Sequence, residues 1–125
     1  MSANGKKRIL VVDDYPQVVE LIKLRLETSG YNVLVAYDGQ EGLNIARNEL
    51  PDLIILDVML PKMNGYKVCR FLKFDKKYKH IPVVMLTSRA KQSDADVGKK
   101  TGADEYLFKP YNPKQLLEVV KKYIN

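Results

Sequence analysis

A chain of 125 residues has room for one hydrophobic core and none for a second domain. Its single cysteine, Cys69, excludes an internal disulfide, and no Cys/His cluster offers a structural metal site, so burial must supply the stability in a reducing, cytoplasmic setting. Lysine and arginine number 21 against 15 aspartates and glutamates, a formal charge of +6, but the cations are dispersed; the densest stretch, 73–80, reads as a solvated helix end and loop, not as a nucleic-acid patch.

The polar start gives way to the apolar run 9–12, a first strand cut off by Asp13 and Asp14 and far too short for a signal-peptide core or a membrane span. Pro16 opens a helix in which Val18, Val19, Ile22 and Leu26 recur at helical spacing, and Gly30 ends it in a left-handed turn. A second strand covers 33–36. Asp38, with Glu41 three residues on, reads as a capping box for a second helix through Leu43 and Ala46. The third strand, 53–56, leads into Asp57, and a helix following Gly65 buries Val68 and Leu72, with Cys69 packing as a small apolar residue. The fourth strand, 83–86, leads into Thr87. A weakly periodic fourth helix from about Ala90 to Lys100, carrying Ala95 and Val97, stops near Gly102. The weakest strand, 106–108, ends at Lys109; Asn112 then caps and Pro113 starts a fifth helix, with Leu116, Val120 and Ile124 along one face.

Strands of unbroken apolarity alternating with helices predict right-handed crossovers and a parallel sheet covered on both faces. Parallel strands share one carboxyl-terminal edge, where Asp13, Asp14, Asp57, Thr87 and Lys109 all fall. Each alone has a plain reading: an acidic pair before Pro16 fits a capping turn, and Lys109 before Pro110 fits any loop. Their occurrence at successive strand ends points to chemistry. Three carboxylates crowded together raise at least one pKa unless a cation neutralises them, and an incomplete cage of hard oxygens suits Mg²⁺, which keeps waters and accepts a phosphate oxygen. With Asp57 as nucleophile, Lys109 pairing with an oxygen and Thr87 donating a hydrogen bond, the set makes a phosphoryl-transfer site.

The quoted stretches carry a resemblance. "ILVVDDYPQV", "PDLIILDVMLPKMNGYKVCRFLK", "IPVVMLTS" and "GADEYLFKPY" resemble, over essentially the whole chain, the receiver (response-regulator) family of two-component signalling. The resemblance implies a flavodoxin-like, doubly wound α/β fold with five parallel strands in the order 2-1-3-4-5, flanked by five helices, and a single receiver domain over 1–125 with a flexible start, 1–7. It further implies that Asp57 accepts phosphoryl from a phosphohistidine of a sensor histidine kinase or histidine phosphotransfer protein. Asp13, Asp14, Asp57 and the backbone carbonyl of Met59 would hold Mg²⁺, with Mn²⁺ as the substitute and Asp13 acting mainly through a metal-bound water. Thr87 and Lys109 would contact phosphoryl oxygens, and Lys109–Pro110 would be a cis peptide.

By the same resemblance, Thr87 and Tyr106 form the switch, although Tyr106 read alone is a half-buried strand aromatic. The output is a surface on the fourth helix, fifth strand and fifth helix, near Lys91, Gln92, Val97, Tyr106, Tyr111 and Lys114, offered to a downstream effector or a linked output domain. The expected protein is a self-phosphorylating and self-dephosphorylating signalling domain, not an enzyme with a separate substrate. It would be a monomer or a phosphorylation-dependent dimer, with no direct nucleic-acid or membrane contact. Met59 and Arg89, two residues beyond Asp57 and Thr87, would slow phosphoryl loss by bulk. The competing readings are a flavin carrier, disfavoured because "DDYP" would repel a phosphate without a metal, a scaffold that binds without phosphorylation, and a piece of a larger regulator.

Overall fold

The computed structural model describes residues 5–88 and 102–124. Its strands are β1 (Arg8–Val12), β2 (Asn32–Ala36), β3 (Leu53–Asp57), β4 (Val83–Ser88) and β5 (Glu105–Lys109); the helices among the described residues are α1 (Pro16–Thr28), α2 (Gly39–Glu49), α3 (Gly65–Lys73) and α4 (Pro113–Ile124). Thus α4 is the helix expected as the fifth. The helix expected over about 90–100, with Arg89, Lys91, Gln92 and Val97, lies outside the described residues, as does 1–4 of the expected flexible start.

All strand pairs are parallel and the order is β2-β1-β3-β4-β5, as expected. Side chains alternate along each strand, so the sheet has two apolar faces. Leu10, Val12, Ile54, Leu56, Val83 and Met85 pack against Leu43 and Ala46 of α2 and Val68, Cys69 and Leu72 of α3. Ile9, Val11, Leu53, Ile55, Val84, Leu86 and Leu107 pack against Ile22 and Leu26 of α1 and Leu116, Val120 and Ile124 of α4. Burial on both faces explains why these strands read as continuous apolar runs.

The helix ends obey local chemistry. At the end of α1, Gly30 takes φ +98°, its N–H donates to Glu27 O, and Tyr31 N–H donates to Leu26 O, which satisfies two terminal carbonyls. Asp38 Oδ1 accepts from Glu41 N–H at 2.7 Å, but Glu41 Oε1 closes on Tyr37 N–H, not on the N-cap's own amide. Asn112 and Gln115 make the reciprocal box, at 2.8 and 2.9 Å. Asn64 caps α3 by accepting from Lys67 N–H at 3.0 Å.

Lys73 corrects the sequence reading of its neighbourhood. Its side chain is 11% exposed, and Nζ donates to Asp104 Oδ2 at 2.8 Å and to the carbonyls of Lys79 and Ile81 at 2.8 and 3.0 Å. Lys76, Lys77, Lys79 and His80 are exposed, as a solvated loop requires.

Candidate functional site

Strand periodicity decides which site residues meet. Asp13 directly follows β1, Asp57 ends β3 and Lys109 ends β5, with the parity of Val11, Ile55 and Leu107, the residues that face α1 and α4. Lys109 Nζ accordingly donates to Asp57 Oδ1 at 3.0 Å and lies 3.9 Å from Asp13 Oδ2. Asp13 is fully buried, still tied to β2 through its N–H to Ala36 O at 3.2 Å, and its Oδ1 accepts from Tyr15 N–H at 3.0 Å. One carboxylate oxygen from each of Asp13, Asp14 and Asp57 lies within 4.8 Å of the other two.

One ammonium does not satisfy this cluster. Asp13 Oδ2 and Asp14 Oδ1 are buried without a hydrogen-bond partner, although buried carboxylate oxygens are ordinarily paired. Burial pushes the Asp57 carboxyl above its usual range, against the hydrogen bond and charge of Lys109; burial does the same to Asp13, against the Tyr15 amide and Lys109. Two anionic oxygens without a hydrogen bond, converging beside a third carboxylate, are a donor set that fits a hard divalent cation, with room in its coordination shell for other oxygens.

The backbone around Asp57 is held by a close approach. Val58 N–H donates to Leu86 O at 3.1 Å and Val58 O accepts from Gly65 N–H at 2.8 Å, so the start of α3 lies against the end of β3. A Cβ on Gly65 would overlap the Asp57 carbonyl oxygen. Farther along this loop, Pro61 O accepts from Gly39 N–H at 3.2 Å and Lys62 reaches Asp38 at 3.6 Å. Met59 lies between these ties with its side chain 73% exposed. Lys109–Pro110 is cis.

The remaining expected residues divide between the sheet faces. Thr87 is buried, pairs in register with Phe108, and has the parity of Val83 and Met85. Tyr106 pairs with Met85, packs against that same layer with its hydroxyl buried, and stacks on Phe108 at 6.4 Å between ring centroids. Tyr111, half-buried, packs with the α1/α4 layer. Burial, together with the charges of Asp13 and Asp57, raises its hydroxyl to about 12. Sequence reasoning missed this neighbour of the acidic cluster; the available signal was its position two residues after Lys109.

The profile of the family described as the response regulator receiver domain matches residues 9–121. The chain belongs to that family. It is 46% identical over 115 residues to the alkaline phosphatase synthesis transcriptional regulatory protein PhoP of Bacillus subtilis, covering 92% of this chain and 47% of that protein. This receiver chain therefore spans about half the length of the curated relatives it matches. A putative response regulator from Chloroflexus aurantiacus superposes with a TM-score of 0.90 at 36% identity, covering 94% of this chain and 97% of that one. The receiver domain of the sensor histidine kinase PA1611 from Pseudomonas aeruginosa superposes with a TM-score of 0.88 at 28% identity, covering 96% and 98%, and holds a magnesium ion in its active-site cleft. As a response-regulator receiver, this chain is a phosphoacceptor signalling domain of two-component type. No helix among its described residues is long and apolar enough to cross a membrane. The expected absence of nucleic-acid contact finds no support in these relatives, since PhoP is named a transcriptional regulator.

Proposed function

We propose that Asp57 is the phosphoacceptor, and that residues 1–125 act as one receiver domain. The observation that carries this reading is the 3.0 Å contact from Lys109 Nζ to Asp57 Oδ1 beside two orphaned oxygens, Asp13 Oδ2 and Asp14 Oδ1. An Asp57 oxygen forms a bond to phosphorus while the P–N bond of a partner's phosphohistidine breaks and its electron pair returns to the imidazole. Lys109 then pairs with a phosphoryl oxygen, and Thr87 donates a hydrogen bond to another. Mg²⁺, held by Asp13, Asp14, Asp57 and the Met59 carbonyl, would spread the negative charge of the transferring group; Mn²⁺ has the same ligand preference for hard oxygens. The phosphoryl group is lost by a separate reaction, hydrolysis, in which water attacks phosphorus, the acyl O–P bond breaks, and the Asp57 carboxylate is restored as phosphate leaves.

Phosphorylation adds charge and acceptor oxygens at Asp57. The shared sheet face of Thr87 and Tyr106 supports a switch in which movement of Thr87 is felt by Tyr106 and changes a partner-binding surface on β5 and α4. The partners are a sensor histidine kinase or phosphotransfer protein upstream and an effector, or a covalently linked output domain, downstream. Incubating the protein with acetyl phosphate and Mg²⁺ tests the reading by intact mass. One added phosphoryl group is expected, absent in Asp57→Asn and absent with EDTA; an unchanged wild-type mass, or equal labelling of Asp57→Asn, refutes it.

A further inference from the structure

An open groove of about 1140 Å³ lies between α2 and α3, on the sheet face away from Lys109 and Asp57. Two aromatic side chains of the α3 end stand in it, Phe71 at 43% and Phe74 at 69% exposure. A guanidinium covers each ring: Arg47 lies 5.8 Å from the centroid of Phe71 and Arg70 lies 5.9 Å from that of Phe74. Lys67 and Lys76 complete a basic rim. None of these four cations takes part in an ion pair among the described residues, whereas Arg8 pairs with Glu49 and Lys73 with Asp104. The one carboxylate at the groove, Asp75, accepts from Lys77 N–H at 2.9 Å.

An apolar centre ringed by unpaired cations is the anatomy of a protein docking site, where aromatic and arginine side chains carry most of the affinity. We propose that the α2–α3 groove docks an acidic segment of a partner protein, its apolar or aromatic side chain seated between Phe71 and Phe74 and its flanking carboxylates on Arg47, Lys67, Arg70 and Lys76. Charge complementarity selects this occupant: α3 carries no acidic residue, and the whole chain is at +6. Each guanidinium lies within about 6 Å of its ring centroid, and a guanidinium in that position keeps N–H groups that can bond carboxylates. A nucleic-acid strand needs cations that track a backbone and free aromatic faces on which bases stack, whereas here the cations surround a pocket and already occupy a face of each ring.

Selection of a random-peptide display library on the whole protein, followed by fluorescence anisotropy with the enriched peptides, tests the proposal. Enrichment of acidic residues around an apolar anchor is expected, with amide shifts confined to α2 and α3. Affinity should fall at least about tenfold in Arg47→Glu plus Arg70→Glu and again in Phe71→Ser plus Phe74→Ser. Both variants alter side chains that are exposed or, at Arg47, half-buried, and should keep the wild-type thermal midpoint and uptake of phosphoryl on Asp57, so a failure of docking is distinguishable from a failure of the phosphoacceptor reading. Peptides without acidic bias, binding indifferent to both variants, or a single-stranded oligonucleotide that outcompetes the best acidic peptide would overturn the proposal. So would a concentration-dependent dimer abolished by the charge reversal, which would assign the face to a second copy of the chain.

Discussion

The two edges of the parallel sheet treat charge in opposite ways. At the amino-terminal edge, Arg8 binds the Glu49 carboxylate and carbonyl, Asp52 accepts from Arg8 N–H, and Asp104 Oδ2 accepts from both Lys73 Nζ and Val83 N–H. Glu105 there accepts from Lys122 and Tyr123. These charges each have partners, and they fasten strand starts to helix ends. At the carboxyl-terminal edge three carboxylates crowd together and Lys109 reaches only Asp57 and Asp13, two of their buried oxygens have no hydrogen-bond partner, and burial raises Asp13 and Asp57. The same residue types thus serve as fasteners at one edge and as an unsatisfied, reactive set at the other; fully paired groups stabilise, while under-coordinated ones leave binding energy for a ligand.

The comparison is broken most severely at Lys73. Lys73→Met leaves the Asp104 carboxylate with only the Val83 N–H and takes the ammonium from two carbonyls, and should cost about 2–3 kcal/mol in urea unfolding, the partial exposure of Asp104 keeping the loss below that of a fully dry pair. A loss within error would show that this edge is not fastened by its charges. Gly65→Ala drives a Cβ into the Asp57 carbonyl and should cost about 2 kcal/mol while slowing phosphoryl uptake, because the carboxyl-terminal edge is held by backbone approach.

Adding Mg²⁺ at ten times its dissociation constant should raise wild-type stability by about 1.4 kcal/mol. Asp13→Asn sharpens the contrast in sign: without metal it should stabilise the fold by about 1 kcal/mol, by removing a buried and crowded charge, and it should weaken the Mg²⁺ response. Destabilisation on metal-free melting would contradict the claim that the cluster is strained.

The smallest effect belongs to Glu105. Burial raises its carboxyl, but the hydrogen bonds from Lys122 and Tyr123 outweigh burial and hold it below its ordinary value of 4.5. Its contribution is therefore present above pH 4.5 and lost as pH falls through the lowered folded value. Burial and the Glu105 hydrogen bond push Tyr123 up to about 12 from 10.0, so that contribution is present below pH 10 and lost as pH rises toward 12. Glu105→Gln should flatten both limbs of the stability profile, by less than about 1 kcal/mol because the pair is solvent-screened. An unaltered profile would remove Glu105 from the fastening set.

Local chemistry made much of this protein legible as a string of letters. The runs beginning at Ile9, Val33, Leu53 and Val83 are apolar at every position because both sheet faces are covered, and Pro16, Gly30, Asp38, Asn112 and Pro113 punctuate helices through their own backbone and side-chain preferences. The polar residues at strand ends could be assigned to one edge because parallel strands share a direction. Contacts between distant segments were not legible. Lys73 with Asp104, Arg8 with Glu49, and the α2–α3 groove each join residues far apart in sequence or set by how helices pack. Sequence determined the elements, their parity and the inventory of charges, since those depend on near neighbours. Only the tertiary structure decided which charges find partners, since pairing depends on where the chain returns.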